Sequence, residues 1–170
     1  MNSIKNNTRP ANQSEIPKIL YQDAHIVAID KPSGLMVHRS RIAPQNQRPA
    51  LQIVRDLIGC RVYPVHRLDK PTSGVLVFAL TPAIAGKLCR EFSGHRVLKT
   101  YLAVVRGFTD AAGVIDKPLV KYKDKKIRTD IAQKAITRFW RIGGIELPYA
   151  VGRYPTSRYS LIGVAPESGR

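Results

Sequence analysis

The sequence predicts an α+β domain in which two helices pack against a mixed, largely antiparallel sheet. Three observations carry that expectation: short β-branched runs separated by polar turn residues, two stretches with apolar residues at helical spacing, and one continuous apolar run bounded by turn residues.

The elements follow in chain order. Residues 1–15 are Asn, Ser, Thr and Pro with few apolar side chains, too few to repay the entropy of ordering them, so they read as a disordered tail before one domain over 16–170. Ile19-Leu20-Tyr21 and His25-Ile26-Val27-Ala28-Ile29-Asp30 predict two short strands, and Lys31-Pro32-Ser33-Gly34 breaks the second into a turn. Residues 39–48 form a polar loop with three arginines. Over 49–58, Leu51, Val54, Leu57 and Ile58 share one helical face, with Pro49 suited to the first turn and Gly59 to the stop. The apolar run 75–80 predicts a strand buried on both faces. Thr81-Pro82 caps a second helix ending at Gly94, whose Leu88 and Phe92 should dock on the sheet. Residues 97–106 predict a long strand with Lys99, Tyr101, Ala103 and Val105 on one face, and shorter strands follow near 114–115, 135–142, 145–147 and 159–164.

Charge limits the partners. With 28 Lys and Arg against 12 Asp and Glu, the 170-residue chain carries +16, more than solubility asks of a small domain. That favours a polyanion, and nucleic acid before a membrane surface, because no basic amphipathic helix is present; a merely solvated basic surface is the alternative. Between 117 and 141 lie nine Lys or Arg residues with Tyr122, Phe139 and Trp140 among them, which reads equally as a phosphate-contacting face or a solvated loop. No apolar run approaches the roughly 20 residues of a membrane span, and no signal-peptide core is visible, so the expected address is the cytoplasm. Cys60 and Cys89 are too few for a disulfide framework and too far apart for a metal knuckle.

His66-Arg67-Leu68-Asp69-Lys70-Pro71-Thr72-Ser73-Gly74 lies between a strand end and the apolar run, so its polar side chains sit on a rigid frame. Flanking Arg67 and Lys70 favour a charged Asp69, and an ionised carboxylate serves as nucleophile or base. A plain turn, with Asp69 bonding its own backbone, is the competing reading.

This stretch resembles the H-R-L-D-x-x-T-S-G nucleophile motif of the RluA-type pseudouridine synthases at His66, Arg67, Leu68, Asp69, Thr72, Ser73 and Gly74. The run from Val27 to His38 is similar to the family's N-K-P-x-G-x-x-V-H segment, and Lys99 to Gly107 to its K-x-Y-x-A-x-V-x-G strand. The resemblance implies the pseudouridine synthase catalytic fold, RNA as partner, and no metal or organic cofactor. It implies that Asp69 begins the isomerisation at the ribose, that Tyr101 lies against the uracil, and that Arg67 stacks where the extruded base had been. A structural ion pair between Arg67 and Asp69 is the alternative for Arg67. His66, Lys99 and Arg39 join Arg67 as candidate RNA-binding residues. Within the family the likeness is strongest to the branch that modifies uridine 65 of transfer RNA, on His38-Arg39-Ser40 and on the run from Pro148 to Tyr159. Transfer RNA is therefore expected ahead of ribosomal RNA, with no membrane and no protein partner implied.

The chain stops at Glu167-Ser168-Gly169-Arg170, similar to the opening of the family's G-R-x-H-Q-L-R-x-H motif. The resemblance thus implies an incomplete catalytic fold, weakly active or inactive alone. A non-catalytic basic RNA-binding module and a ribosomal-type structural protein are the readings from other classes.

Overall fold

The computed structural model describes residues 16–39, 47–120, 122–123, 126–127 and 132–168. The tail, most of the arginine loop and much of the basic 117–141 stretch lie outside these residues. The chain forms two compact units, Met1–Phe92 and Ser93–Arg170.

In the first unit, β1 (Lys18–Gln22) and β2 (Ile26–Lys31) form a hairpin, followed by α1 (Ala50–Ile58), β3 (Tyr63–Pro64), β4 (Gly74–Ala79) and α2 (Pro82–Ser93). The sheet order is β1-β2-β4-β3, with every pairing antiparallel. The hairpin turns at Asp23, whose Oδ1 accepts the N–H groups of His25 (2.7 Å) and Ile26 (2.8 Å). Those bonds hold the Asp23 carboxyl below its ordinary titration range.

The centre of this unit is a cross-strand cluster. Val27 pairs with Phe78 and Ile29 with Leu76, and all four side chains are fully buried. Val75 is 57% exposed on the other face, so the run 75–80 is not buried on both faces as expected; its burial is concentrated at 76, 78 and 79.

The α1 helix ends at Gly59, which takes the left-handed conformation at φ +74°. Pro49 precedes the first turn instead of lying in it, and the inward face is Ala50, Ile53 and Val54, with Leu57 44% exposed. The expected stripe is corrected by the chain on which the helix rests: the N–H groups of Ala50 and Leu51 bond the carbonyls of Met36 and Val37, which turns Ala50 and Ile53 inward. Thr81 Oγ1 accepts the N–H of Ile84 at 3.3 Å, capping α2. Leu88 and Phe92 are only half-buried; Phe92 stacks on His66 with ring centroids 4.5 Å apart.

The second unit contains β5 (Tyr101–Arg106), β6 (Ala112–Asp116), β7 (Tyr122–Lys123), β8 (Lys126–Ile127), β9 (Ile136–Leu147) and β10 (Ser157–Pro166). Its larger sheet runs β5-β10-β9-β6, all antiparallel, and β7 pairs with β8. The α+β class with two helices and antiparallel strands holds, with the strands divided between two four-stranded sheets and the β7–β8 pair. From Tyr101 the expected alternation holds: Tyr101, Ala103 and Val105 are half-buried, whereas Leu102 and Val104 are each 70% exposed. The strand does not begin at 97. Val164 pairs with Tyr101, and two residues on, β10 reaches Pro166, which has no N–H to continue the ladder.

Strands expected separately at 135–142 and 145–147 are one strand, β9. A register shift between Leu161 and Ile162 leaves Ile142 as the extra residue, so Gly143-Gly144 stays in the ladder instead of breaking it. Phe139 and Trp140 cover cross-strand glycines: Phe139 lies over Gly113 and Trp140 over Gly163. A Cβ at Gly163 would stand 2.3 Å from the Trp140 ring. Gly163→Ala is therefore expected to displace the ring and cost about 1–3 kcal/mol. Urea unfolding followed through Trp140, the chain's single tryptophan, reads both the lower midpoint and the altered folded-state emission.

Among the described residues, no helix is long and apolar enough to cross a membrane.

Candidate active site

The motif 66–74 is anchored at both ends by the first sheet. At its start, His66 Nε2 accepts the backbone N–H of Val77 on β4 at 3.0 Å, so that nitrogen carries no proton in this arrangement. At its end, Gly74 opens β4 opposite Lys31 of β2, with φ +120°, a conformation open to glycine and strained for any other residue. Leu68 is buried, while Arg67, Asp69 and Lys70 are exposed. The alternation sends one side chain into the core and its neighbours outward.

A turn does form at Asp69, but through its main chain. Its carbonyl accepts the N–H of Thr72 at 3.0 Å, while the carboxylate Oδ1 lies 3.2 Å from Arg67 Nη2. Both side chains are about 70% exposed, 69% for Arg67 and 74% for Asp69, so this ion pair is worth at most about 1 kcal/mol. The carboxylate thus faces solvent beside a guanidinium.

Behind the motif stands a group that sequence reasoning did not single out. Lys31 is fully buried at the end of β2, and its ammonium donates to the carbonyls of Leu35 (2.8 Å), Pro32 (3.0 Å) and Lys70 (3.3 Å). Burial pulls its pKa below the ordinary lysine value, and the negative charge of Asp69 acts in the opposite direction. Ser33 Oγ donates to Pro71 O at 2.7 Å, and Gly34 N–H to Lys70 O at 2.7 Å. The signal for these residues was the Lys31-Pro32-Ser33-Gly34 run, which reads from sequence as a turn and as part of the N-K-P-x-G resemblance, with no role for Lys31.

The remaining candidates sit elsewhere. Arg39 is exposed after β2 and α1's supporting stretch. Tyr101 opens β5 in the second unit and is half-buried, as is Lys99 just before it.

The family of RNA pseudouridylate synthases matches residues 25–170, most of the chain and the whole motif region. The chain belongs to that family. Among individual relatives, tRNA pseudouridine synthase C of Pasteurella multocida is 46% identical over 158 residues, 90% of this chain and 65% of that protein. The protein of the same name from Haemophilus influenzae is 47% identical over 158 residues, covering 90% of this chain and 66% of its own length. The chain thus spans about two-thirds of the length of these relatives. The solved structure of Human RNA Pseudouridylate Synthase Domain Containing 4 superposes with a TM-score of 0.67 at 27% identity, covering 90% of this chain and 60% of that one. Human RNA Pseudouridylate Synthase Domain Containing 1 gives a TM-score of 0.72 at 21% identity, a likeness of fold, over 94% of this chain and 62% of that one.

Proposed function

We propose that this chain carries the nucleophile of a pseudouridine synthase that isomerises one uridine of transfer RNA. The observation that carries the reading is the Asp69 carboxylate, exposed beside Arg67 on a loop fixed at both ends by the sheet, in a chain of this family. The reaction detaches uracil from the ribose, turns it, and rejoins it through carbon, and an ionised carboxylate suits the attack on the sugar. Tyr101 is assigned the uracil: its ring offers a stacking surface and its hydroxyl an acceptor for the proton leaving the new attachment carbon. Reaching a glycosidic bond inside folded RNA requires extruding the nucleotide at a cost of a few kcal/mol, and Arg67 is assigned the vacated place in the stack. His66, Lys99 and Arg39 are assigned to holding RNA. Transfer RNA is chosen over ribosomal RNA because the relatives at 46% and 47% identity bear names of transfer RNA enzymes.

The test is tritium release from RNA labelled at uracil carbon 5, with protein in excess so that slow chemistry is seen. Release from transfer RNA at a rate above that from a ribosomal RNA fragment of equal length is expected; the reverse order would reassign the substrate. The charge of +16 supports a second reading, a non-catalytic RNA-binding module, which predicts salt-sensitive binding of both RNAs and release from neither.

A further inference from the structure

The connection between β9 and β10 is longer than their pairing requires. Leu147 faces Ser157 as the last pair of the ladder, and nine residues, 148–156, lie between them, whereas a hairpin closes with about two to five. The added length has a defined shape. Val151 and Tyr154 bridge around a two-residue turn with Gly152 at φ +73°, and Arg106 at the end of β5 donates to the Val151 carbonyl at 3.0 Å.

This turn displays rings and guanidinium groups. Tyr154 is 54% exposed and Tyr149 67%. The Arg153 guanidinium lies over the Tyr154 ring, 5.0 Å from its centroid, and donates to its hydroxyl at 2.8 Å. Residues 148–156 include no carboxylate. The nearest in sequence, Glu146, is taken up at the base of the turn. It accepts the Thr156 hydroxyl at 2.6 Å and pairs with Arg158 at 3.1 Å, and these bonds hold its carboxyl below the usual range. Arg158 in turn lies over Phe108, 5.5 Å from the ring centroid, and remains exposed.

A mere connection needs Gly152 and little else. Exposed rings interleaved with guanidinium groups suit single-stranded nucleic acid, whose bases stack on aromatic faces and whose phosphates attract cations. Tyrosine and arginine also serve protein interfaces, but the charge of +16 and the lack of any acid on the turn favour a polyanion. Position adds to the case. Because Tyr101 opens β5 and Arg106 closes it, the turn lies at the other end of this sheet from Tyr101, about 17 Å along the strand. A contact there meets nucleotides other than the uridine assigned to Tyr101.

We propose that the β9–β10 turn is a second RNA contact, in which unpaired bases stack on Tyr154 and Tyr149 while Arg153 and Arg158 hold the flanking phosphates. The inference rests on the reading of RNA as substrate and deepens it: the chain selects its RNA partly by an unpaired segment apart from the reacting uridine.

The experiment measures the affinity of the full chain for an unmodified transfer RNA transcript and for a fully paired RNA duplex of equal length, over a range of salt. Tyr154→Ala should bind transfer RNA about tenfold more weakly and the duplex within about twofold of the unaltered chain, since paired bases offer no free face. Tyr154→Phe keeps the ring and should stay within about twofold on both. Arg153→Gln should lower the slope of log affinity against log salt by about one on transfer RNA. These side chains are exposed, so the melting temperature should move by no more than about 2 °C. Adding transfer RNA to the unaltered chain should slow amide exchange at Gly152, Arg153 and Tyr154 at least about fivefold.

Full-strength binding of transfer RNA by Tyr154→Ala, or an equal loss on the duplex, overturns the stacking contact and leaves RNA as the substrate. Failure of the unaltered chain to bind either RNA overturns both the contact and the reading beneath it. A self-associated chain that Tyr154→Ala renders monomeric with its RNA affinity intact assigns this surface to a second copy, and overturns the proposal.

Discussion

Phe78→Ala is expected to cost about 3–5 kcal/mol, enough to unfold a large fraction of the first unit at room temperature. The ring is fully buried, paired across the sheet with Val27 on β2 and with Pro64 on β3, beside the equally buried Ile29 and Leu76. Truncation removes apolar area and leaves a cavity that paired strands on both sides cannot easily close. For a unit of this size the melting temperature should fall by roughly 15 °C or more. Val75→Ala is the control. Three residues earlier on the same strand but 57% exposed, it should change stability by less than about 0.5 kcal/mol. Comparable losses in both variants, measured by thermal or urea unfolding, would mean that the core is not where the burial pattern puts it.

Much of this frame was legible because local rules and tertiary context agree. Gly59 stops α1, Thr81 caps α2, and the alternation from Tyr101 to Val105 marks one face of β5. Where legibility failed, a distant partner decided. Helix α1 has apolar residues at Ala50, Leu51, Ile53, Val54, Leu57 and Ile58, so more than one stripe is compatible with the period, and contact with Met36 and Val37 selects among them. The end of the β5 ladder depends on Pro166, some 60 residues away, and the continuity of β9 on a bulge that no local pattern announces.

At the site, the motif named Asp69 and Arg67 directly, because the residues proposed to act there are contiguous in sequence. Lys31 was missed for the opposite reason. Lysine is almost always a surface residue, so composition and periodicity do not mark the one that is buried, and the N-K-P-x-G resemblance assigns it no place in the core. Its burial arises from carbonyls at 32, 35 and 70 that only the fold brings together. The aromatics at 139 and 140, within the stretch that reads equally as a phosphate-contacting face or a solvated loop, lie over Gly113 and Gly163.

Asp69→Asn carries the largest effect expected on chemistry. The amide is close to isosteric with the carboxylate and keeps an oxygen for Arg67, so the loop and its RNA contacts should survive. What is lost is the negative charge to which the proposed function assigns the attack on the sugar, and removal of a nucleophile lowers turnover by at least about 10³-fold. Affinity, set by phosphate contacts to Lys and Arg, should stay within about twofold. The deciding measurement is therefore tritium release from transfer RNA by the unaltered chain and by Asp69→Asn, each at full RNA occupancy and with protein in excess: slow release by the first, as expected of a chain weakly active alone, and none above background by the second is predicted, and equal, measurable release rates from the two would contradict the assignment of Asp69.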